Sequence, residues 1–209
     1  MASIFISHSR HDRQIIQDFQ QVFAVTRIQA VFMEFEEYHP PPWHAIRQKV
    51  VEASAVFLLL GPGLRGSAYT QNWVAWEVGV AAALGKPTWV YEQVGRPVDF
   101  PVPYCTDYVL YQPGKREDLG YIRRVVEAYD PGPLLAGGIL GLLLGAAVAM
   151  GPGAALGGLV GAALGAQRPP EPPQLACPHP SCGIAFRAHT ALPTFPCPSC
   201  RRSLRLPTQ

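Results

Sequence analysis

The run Ala55-Val-Phe-Leu-Leu-Leu60 is apolar at every position. A segment of that length buries both of its faces as an interior strand of a sheet covered on both sides. Four more short runs surround it: SIFIS (3–7), AVFM (30–33), TWVY (88–91) and DYVLY (107–111). Between them, apolar residues recur with helical spacing at 11–24, 43–53, 70–84 and 115–129. Strand and helix alternate, which predicts an α/β fold with a five-stranded parallel sheet and right-handed crossovers. Ser7, Glu34 and Gly61, each just beyond a strand, then lie along one edge, where a ligand crevice is expected.

The chain changes character near position 130, and glycine and proline concentrate beyond it. Residues 131–167 carry no charge, and two apolar segments, 134–150 and 154–166, flank Gly151-Pro152-Gly153. Gly137, Gly141 and Gly145 recur every fourth residue, as do Gly153, Gly157, Gly161 and Gly165. Such spacing makes a smooth face on which helices approach closely in lipid. The reading is a glycine-zipper helical hairpin over 133–167, inserted in or associated with a membrane. Its segments of 17 and 13 residues fall short of the roughly 20 that a full crossing takes. A proline-rich spacer (168–175) leads to a last module (176–209), and 1–130 forms the first domain. That domain opens without a secretory signal, so it is expected to face the cytoplasm. The net charge of +2 gives no reason to expect nucleic-acid binding across the whole surface.

The helix predicted over 70–84 holds one anomaly. Between Arg65 and Lys86 the only charged residue is Glu77, and helical spacing puts it on one face with Trp73, Val80, Ala81 and Leu84. A carboxylate in an apolar stripe is either a structural residue with a local partner or a member of a site. The first strand-to-helix junction, SHSRHD (7–12), supplies hydroxyls, imidazoles and an acid. Asp12 is placed to cap the helix that follows, and the amides of such a turn attract phosphate. The loop EFEEYHPPPW (34–43) has the composition of a lid or partner surface.

Four of the five cysteines form two pairs, Cys177-x4-Cys182 and Cys197-x2-Cys200, separated by 14 residues. Four thiolates on tight turns suit one tetrahedral metal, zinc above others. A closed four-thiolate site leaves no open position, so that zinc is structural. His179 is a fallback ligand, and Phe186 with Leu192 is the expected minimal core. Arg187, Arg201, Arg202 and Arg205 make the module basic, fit for nucleic acid, anionic lipid or an acidic protein. Cys105 reads as a small buried side chain.

Three blocks taken together, IFISHSRHD, PPPWHAIRQKVVEASAVFLLLGPG and NWVAWEVGVAAALGKPTWVY, resemble the Toll/interleukin-1 receptor (TIR) domain in its bacterial and archaeal form. The most specific element is Trp73-x-x-x-Glu77, similar to the family's Trp-x-x-x-Glu motif. The last module likewise looks like a small zinc ribbon. The TIR resemblance implies a flavodoxin-like sheet and self-association through TIR domains. In many microbial members it also implies cleavage of the nicotinamide N-glycosidic bond of NAD+, to nicotinamide and ADP-ribose or a cyclic product, in a defence or signalling role. By position Glu77 falls on the family's catalytic glutamate, and Ser7 and His8 on residues lining the NAD+ pocket. Trp73, Trp76 or Trp43 is expected to pack around that carboxylate or against the flat nicotinamide ring, with Trp43 and Trp73 as the binding pair. Two other roles stand beside the enzyme: a non-enzymatic TIR scaffold held at a membrane, and a membrane-permeabilising effector triggered by TIR clustering.

Overall fold

The structure, a computed structural model, describes residues 2–33, 43–130, 172 and 174–206. The loop at 34–42 and the glycine-rich stretch read as a hairpin lie outside the described residues. No helix among the described residues is long and apolar enough to cross a membrane.

The chain is α/β, with β1 (Ser3–Ser7), α1 (Arg13–Ala24), β2 (Gln29–Phe32), α2 (Trp43–Glu52) and β3 (Ala55–Leu60) in order. A short 3-10 helix, Pro62–Gly66, leads into α3 (Ala68–Ala83), β4 (Thr88–Gln93), β5 (Asp107–Tyr111) and α4 (Arg116–Glu127). β6 (Gln174–Ala176) begins within the segment read as a spacer and leads into the last module, which supplies β7 (Ala185–His189), β8 (Thr194–Pro196) and β9 (Ser203–Arg205).

The sheet has seven strands, in the order β2-β1-β3-β4-β5-β7-β6, where the sequence predicts five. Its first five follow the 2-1-3-4-5 order of doubly wound sheets and pair in parallel. The other two come from the cysteine module: β7 pairs parallel to β5, and β6 pairs antiparallel to β7. They escape a reading by apolar runs because β6 has three residues and β7, AFRAH, alternates polar with apolar.

AVFLLL behaves as its composition dictates, with every residue at most 1% exposed. At roughly 1.5–3 kcal/mol per large side chain, this strand anchors the core on both faces of the sheet. Ala55, Phe57 and Leu59 face α1 and α4, together with Ile4, Ile6, Tyr91 and Tyr111. Val56 faces α2 and α3 with Phe5, Ile46 and Trp73. Leu58 and Leu60 join Val74, Val90 and Tyr108, and this core continues into Phe186, Phe195 and Leu204 of the cysteine module. Tyr108 is the hinge of that shared core, with its ring 6.2 Å from Phe186 and 6.3 Å from Phe195.

Candidate functional site

Alternation along β1 sends Ile4 and Ile6 to the α1 face and Phe5 and Ser7 to the α3 face. Ser7 is therefore the last residue of β1 directed at α3, and its hydroxyl donates to Glu77 Oε2 at 2.5 Å. Glu77 is 3% exposed and Ser7 1%. Burial pushes the Glu77 carboxyl up to about 8, against a smaller opposing effect of the Ser7 hydroxyl. The buried stripe of α3 is Thr70, Trp73, Val74, Glu77, Val78 and Ala81. It turns slightly from the predicted face: Val80 is half-buried, and Leu84, at the cap, is exposed.

The tryptophans form a cluster beside this stripe. Trp43, the first residue of α2, stacks on Trp73 with centroids 4.0 Å apart at 20°. Trp76 meets Trp43 edge-on at 5.0 Å. Trp73 is 5% exposed and Trp43 45%, so Trp43 covers Trp73 and keeps one face toward solvent. His8 Nδ1 lies 3.1 Å from the Ile6 carbonyl, and its ring meets Phe32 edge-on. The structure thus pairs Ser7 with Glu77 and Trp43 with Trp73, and sets His8 toward β2.

Asp12 departs from its predicted role. It stands at the N-cap of α1, but its side chain makes no capping bond. Its Oδ1 instead accepts the Gly63 amide at 2.8 Å, which ties the β1 loop to the loop after β3. A Cβ at Gly61 would sit 2.3 Å from Asp12 Cγ, and one at Gly63 2.8 Å from Ser9 Oγ. Glycine at 61 is thus a packing requirement imposed by Asp12. Gly61→Ala should cost about 1–3 kcal/mol of stability, and in an Asp12→Ala background the same substitution should cost much less. Urea unfolding of the four proteins checks this, and additive costs would contradict it.

The cysteine module is fastened to the sheet by two carboxylates that the sequence reading passed over. Glu92, 1% exposed at the carboxyl end of β4, accepts from Arg201 Nη2 at 2.6 Å, from the Val98 amide at 2.5 Å and from the Tyr108 hydroxyl. Asp107, at the start of β5, receives both Nε and Nη2 of Arg187 at 2.9 and 3.0 Å, and His189 Nε2 lies 2.8 Å away. Burial raises the Asp107 carboxyl, but His189 and Arg187 outweigh it and hold the group below its ordinary value. His189 also meets the Tyr121 hydroxyl of α4. Arg187 and Arg201, read as facing an outside partner, are therefore turned inward. Of the remaining arginines, Arg202 Nη1 is 3.2 Å from His179 Nδ1. The signal for the two clamps was in the sequence: each is an acid within a strand that is otherwise largely apolar.

The four sulfurs of Cys177, Cys182, Cys197 and Cys200 lie within 4.8 Å of one another. Cys177 and Cys200 are 3.7 Å apart, and Cys182 and Cys197 3.9 Å. Sulfurs about 2.3 Å from a shared tetrahedral metal stand about 3.8 Å apart, whereas a disulfide requires about 2.05 Å. The donor set therefore fits a metal ion, and His179 is not part of it. A residue in left-handed conformation follows each pair, Gly183 at φ 60° and Arg201 at φ 58°. At the second turn a non-glycine residue accepts that conformation, and its guanidinium is the one that reaches Glu92. Of the expected core, Phe186 is 1% exposed, while the larger share beside it falls to Phe195 and Leu204 rather than to half-buried Leu192. Cys105 is 2% exposed, with its Sγ 3.1 Å from the Asp107 carbonyl.

No family model and no curated protein matches the sequence. Among solved structures, the glutaminase domain of Trypanosoma brucei CTPS with bound acivicin aligns at 19% identity and a TM-score of 0.30. The alignment covers 44% of this chain and 36% of that one. A likeness at this level carries no inference about this chain.

Proposed function

We propose that the chain is a TIR-domain NAD+ glycohydrolase with Glu77 as its reactive carboxylate and a structural zinc in the four-cysteine site. The observation that carries the reading is the Ser7–Glu77 pair: a carboxyl buried at the carboxyl edge of a parallel sheet, with one hydroxyl donating to it. Glycosidic cleavage of NAD+ asks little else of a protein. Nicotinamide is a cationic leaving group, so its departure needs no strong acid, and the developing oxocarbenium ribose needs a nearby negative charge. Burial gives that charge a strong field. In the free protein it also holds the proton on Glu77 up to about 8. Bound cationic nicotinamide favours the ionised form and drives the proton off. Ser7 fixes the carboxyl oxygen, and Trp43, with its outer face exposed, offers a surface for a flat ring. Self-association through the TIR domain, a defence or signalling role and attachment to a membrane through 134–166 belong to the same proposal.

A second reading is favoured by one observation. The Trp43–Trp73 stack at 4.0 Å already fills an aromatic slot, as suits a non-enzymatic scaffold. The test is NAD+ consumption by concentrated full-length protein, wild type against Glu77→Ala. Wild-type consumption lost in the variant supports the enzyme; equal inactivity of both in an assembled state supports the scaffold.

A further inference from the structure

Glu77 is not the only acid set into an apolar helix face. On α1 the buried residues are Ile15, Asp18, Phe19, Val22 and Phe23, so Asp18, 5% exposed, points at the sheet from the opposite side. Its Oδ1 accepts from Gln14 at 3.1 Å, and its Oδ2 has no partner. Asp12, six residues earlier at the N-cap and also 5% exposed, has the same defect: Oδ1 is satisfied by Gly63 and Oδ2 is orphaned.

Beneath these two carboxyls the sheet presents a row of matching register. Leu60 pairs with Glu92, so Gly61 comes beside Gln93, and Gln93 pairs with Tyr111. All three are at the carboxyl edge on the α1 face, at about 4.8 Å per strand. The Asp12 carboxyl fills the place that a side chain on Gly61 would take, which sets it next to Gln93. Gln93 is 4% exposed and Tyr111 1% exposed, and the Gln93 side chain is the neighbour that meets the Tyr111 hydroxyl. The ring of Tyr111 lies 6.1 Å from that of Phe19, the neighbour of Asp18. Asp18 and Asp12 both add to the burial that raises the Tyr111 hydroxyl, as groups facing one space would.

Two buried carboxyl oxygens without partners, Oδ2 of Asp12 and Oδ2 of Asp18, over the Gln93–Tyr111 pair mark a missing ligand, since buried polar atoms are otherwise hydrogen-bonded. Water would satisfy the lone pairs and leave the charge. Burial keeps the Asp12 carboxyl raised even though the Gly63 amide and His11 act to lower it. A carboxylate pair, an amide and a phenol are hard oxygen donors, the set that takes Mg2+ or Mn2+ with part of its water shell and that thiolate-loving ions avoid.

We infer that Asp12, Asp18, Gln93 and Tyr111 form a binding site for one partly hydrated divalent cation of the Mg2+ or Mn2+ type, under α1 at the carboxyl edge of the sheet. The site is separate from the four cysteines and lies across the sheet from Glu77.

Mn2+ titration of the zinc-loaded full-length protein, followed by electron paramagnetic resonance, tests it. The expected result is one equivalent bound by the wild type, with affinity at least tenfold weaker in the near-isosteric Asp18→Asn and Asp12→Asn variants and an intermediate loss in Tyr111→Phe. Mg2+ should compete for the site, and should raise the thermal midpoint of the wild type but not of Asp18→Asn. No bound Mn2+, or binding unchanged in Asp18→Asn as expected for ions held by the cysteines or the surface, would overturn the inference. So would an Asp18→Asn protein that is more stable than wild type in saturating Mg2+, since the carboxyls are then held as neutral acids.

Discussion

Glu77→Gln is expected to make the protein more stable at neutral and alkaline pH while ending cleavage of NAD+. In the unfolded chain the carboxyl ionises around its ordinary value of 4.5, and in the folded protein only at about 8. Below the first value both states hold the proton and the acid costs nothing. Between the two values the folded state binds more protons than the unfolded one, so stability falls as pH rises and reaches its full loss above about 8. Over that interval the loss is on the order of 5 kcal/mol. Glutamine has no proton to lose, keeps the shape, and still accepts from the Ser7 hydroxyl. Urea unfolding should therefore show the two proteins nearly equal at pH 4 and separated by several kcal/mol at pH 8.5. A gap that does not change with pH would contradict the burial argument. A group that lowers stability at working pH calls for another role, and the proposed reaction would supply one.

Metal removal is the second large effect. Cys200 is one of the four clustered cysteines, and the next residue, Arg201, holds its left-handed turn while its guanidinium reaches Glu92 at 2.6 Å. A metal held by the four sulfurs would fix the turn, and the turn aims the arginine. Stripping the metal should release Arg201 and leave Glu92 buried without its cation, a defect of about 3–5 kcal/mol. That removes one of the module's two clamps and leaves β7 held by Asp107 alone, so the edge of the sheet should open more readily. Hydrogen exchange of the amides of Arg187 to His189, and of the facing residues of β5, should accelerate at least a hundredfold after chelation, and to a similar extent in Cys200→Ser. Arg201→Ala with the metal bound should give a smaller acceleration on the same amides. Unchanged protection after verified metal loss would show that the sheet holds the module without it.

These two effects mark what a reading of the residues reaches. The strands that build the first five positions of the sheet were legible, because AVFLLL and its neighbours have only one way to bury themselves. Glu77 was legible as the lone charge in its helix, and the cysteines by their spacing. The last two strands of the sheet and the two clamps were not: β6 has three residues, β7 is five residues of mixed character, and the place of β7 beside β5 is decided by Asp107 meeting Arg187, some 80 positions apart. Arginines on a small metal module look like a surface for a partner until their acids are found. Glu92, Asp107 and Asp18 nevertheless carry the same signal as Glu77, a carboxylate where the pattern calls for an apolar side chain. Read with equal weight, they point to the module interface and to the cation site.

The central claim is that the buried Glu77 carboxylate breaks the nicotinamide bond, and the pH dependence of nicotinamide release measures it most directly. With full-length protein and NAD+, kcat/KM reports the free protein. For the wild type it should climb about tenfold per pH unit from pH 6 and level off near 8, where the carboxyl ionises. Glu77→Gln should release none at any pH. Release by Glu77→Gln at the wild-type rate, or a wild-type rate that is flat from pH 6 to 9, would contradict the account.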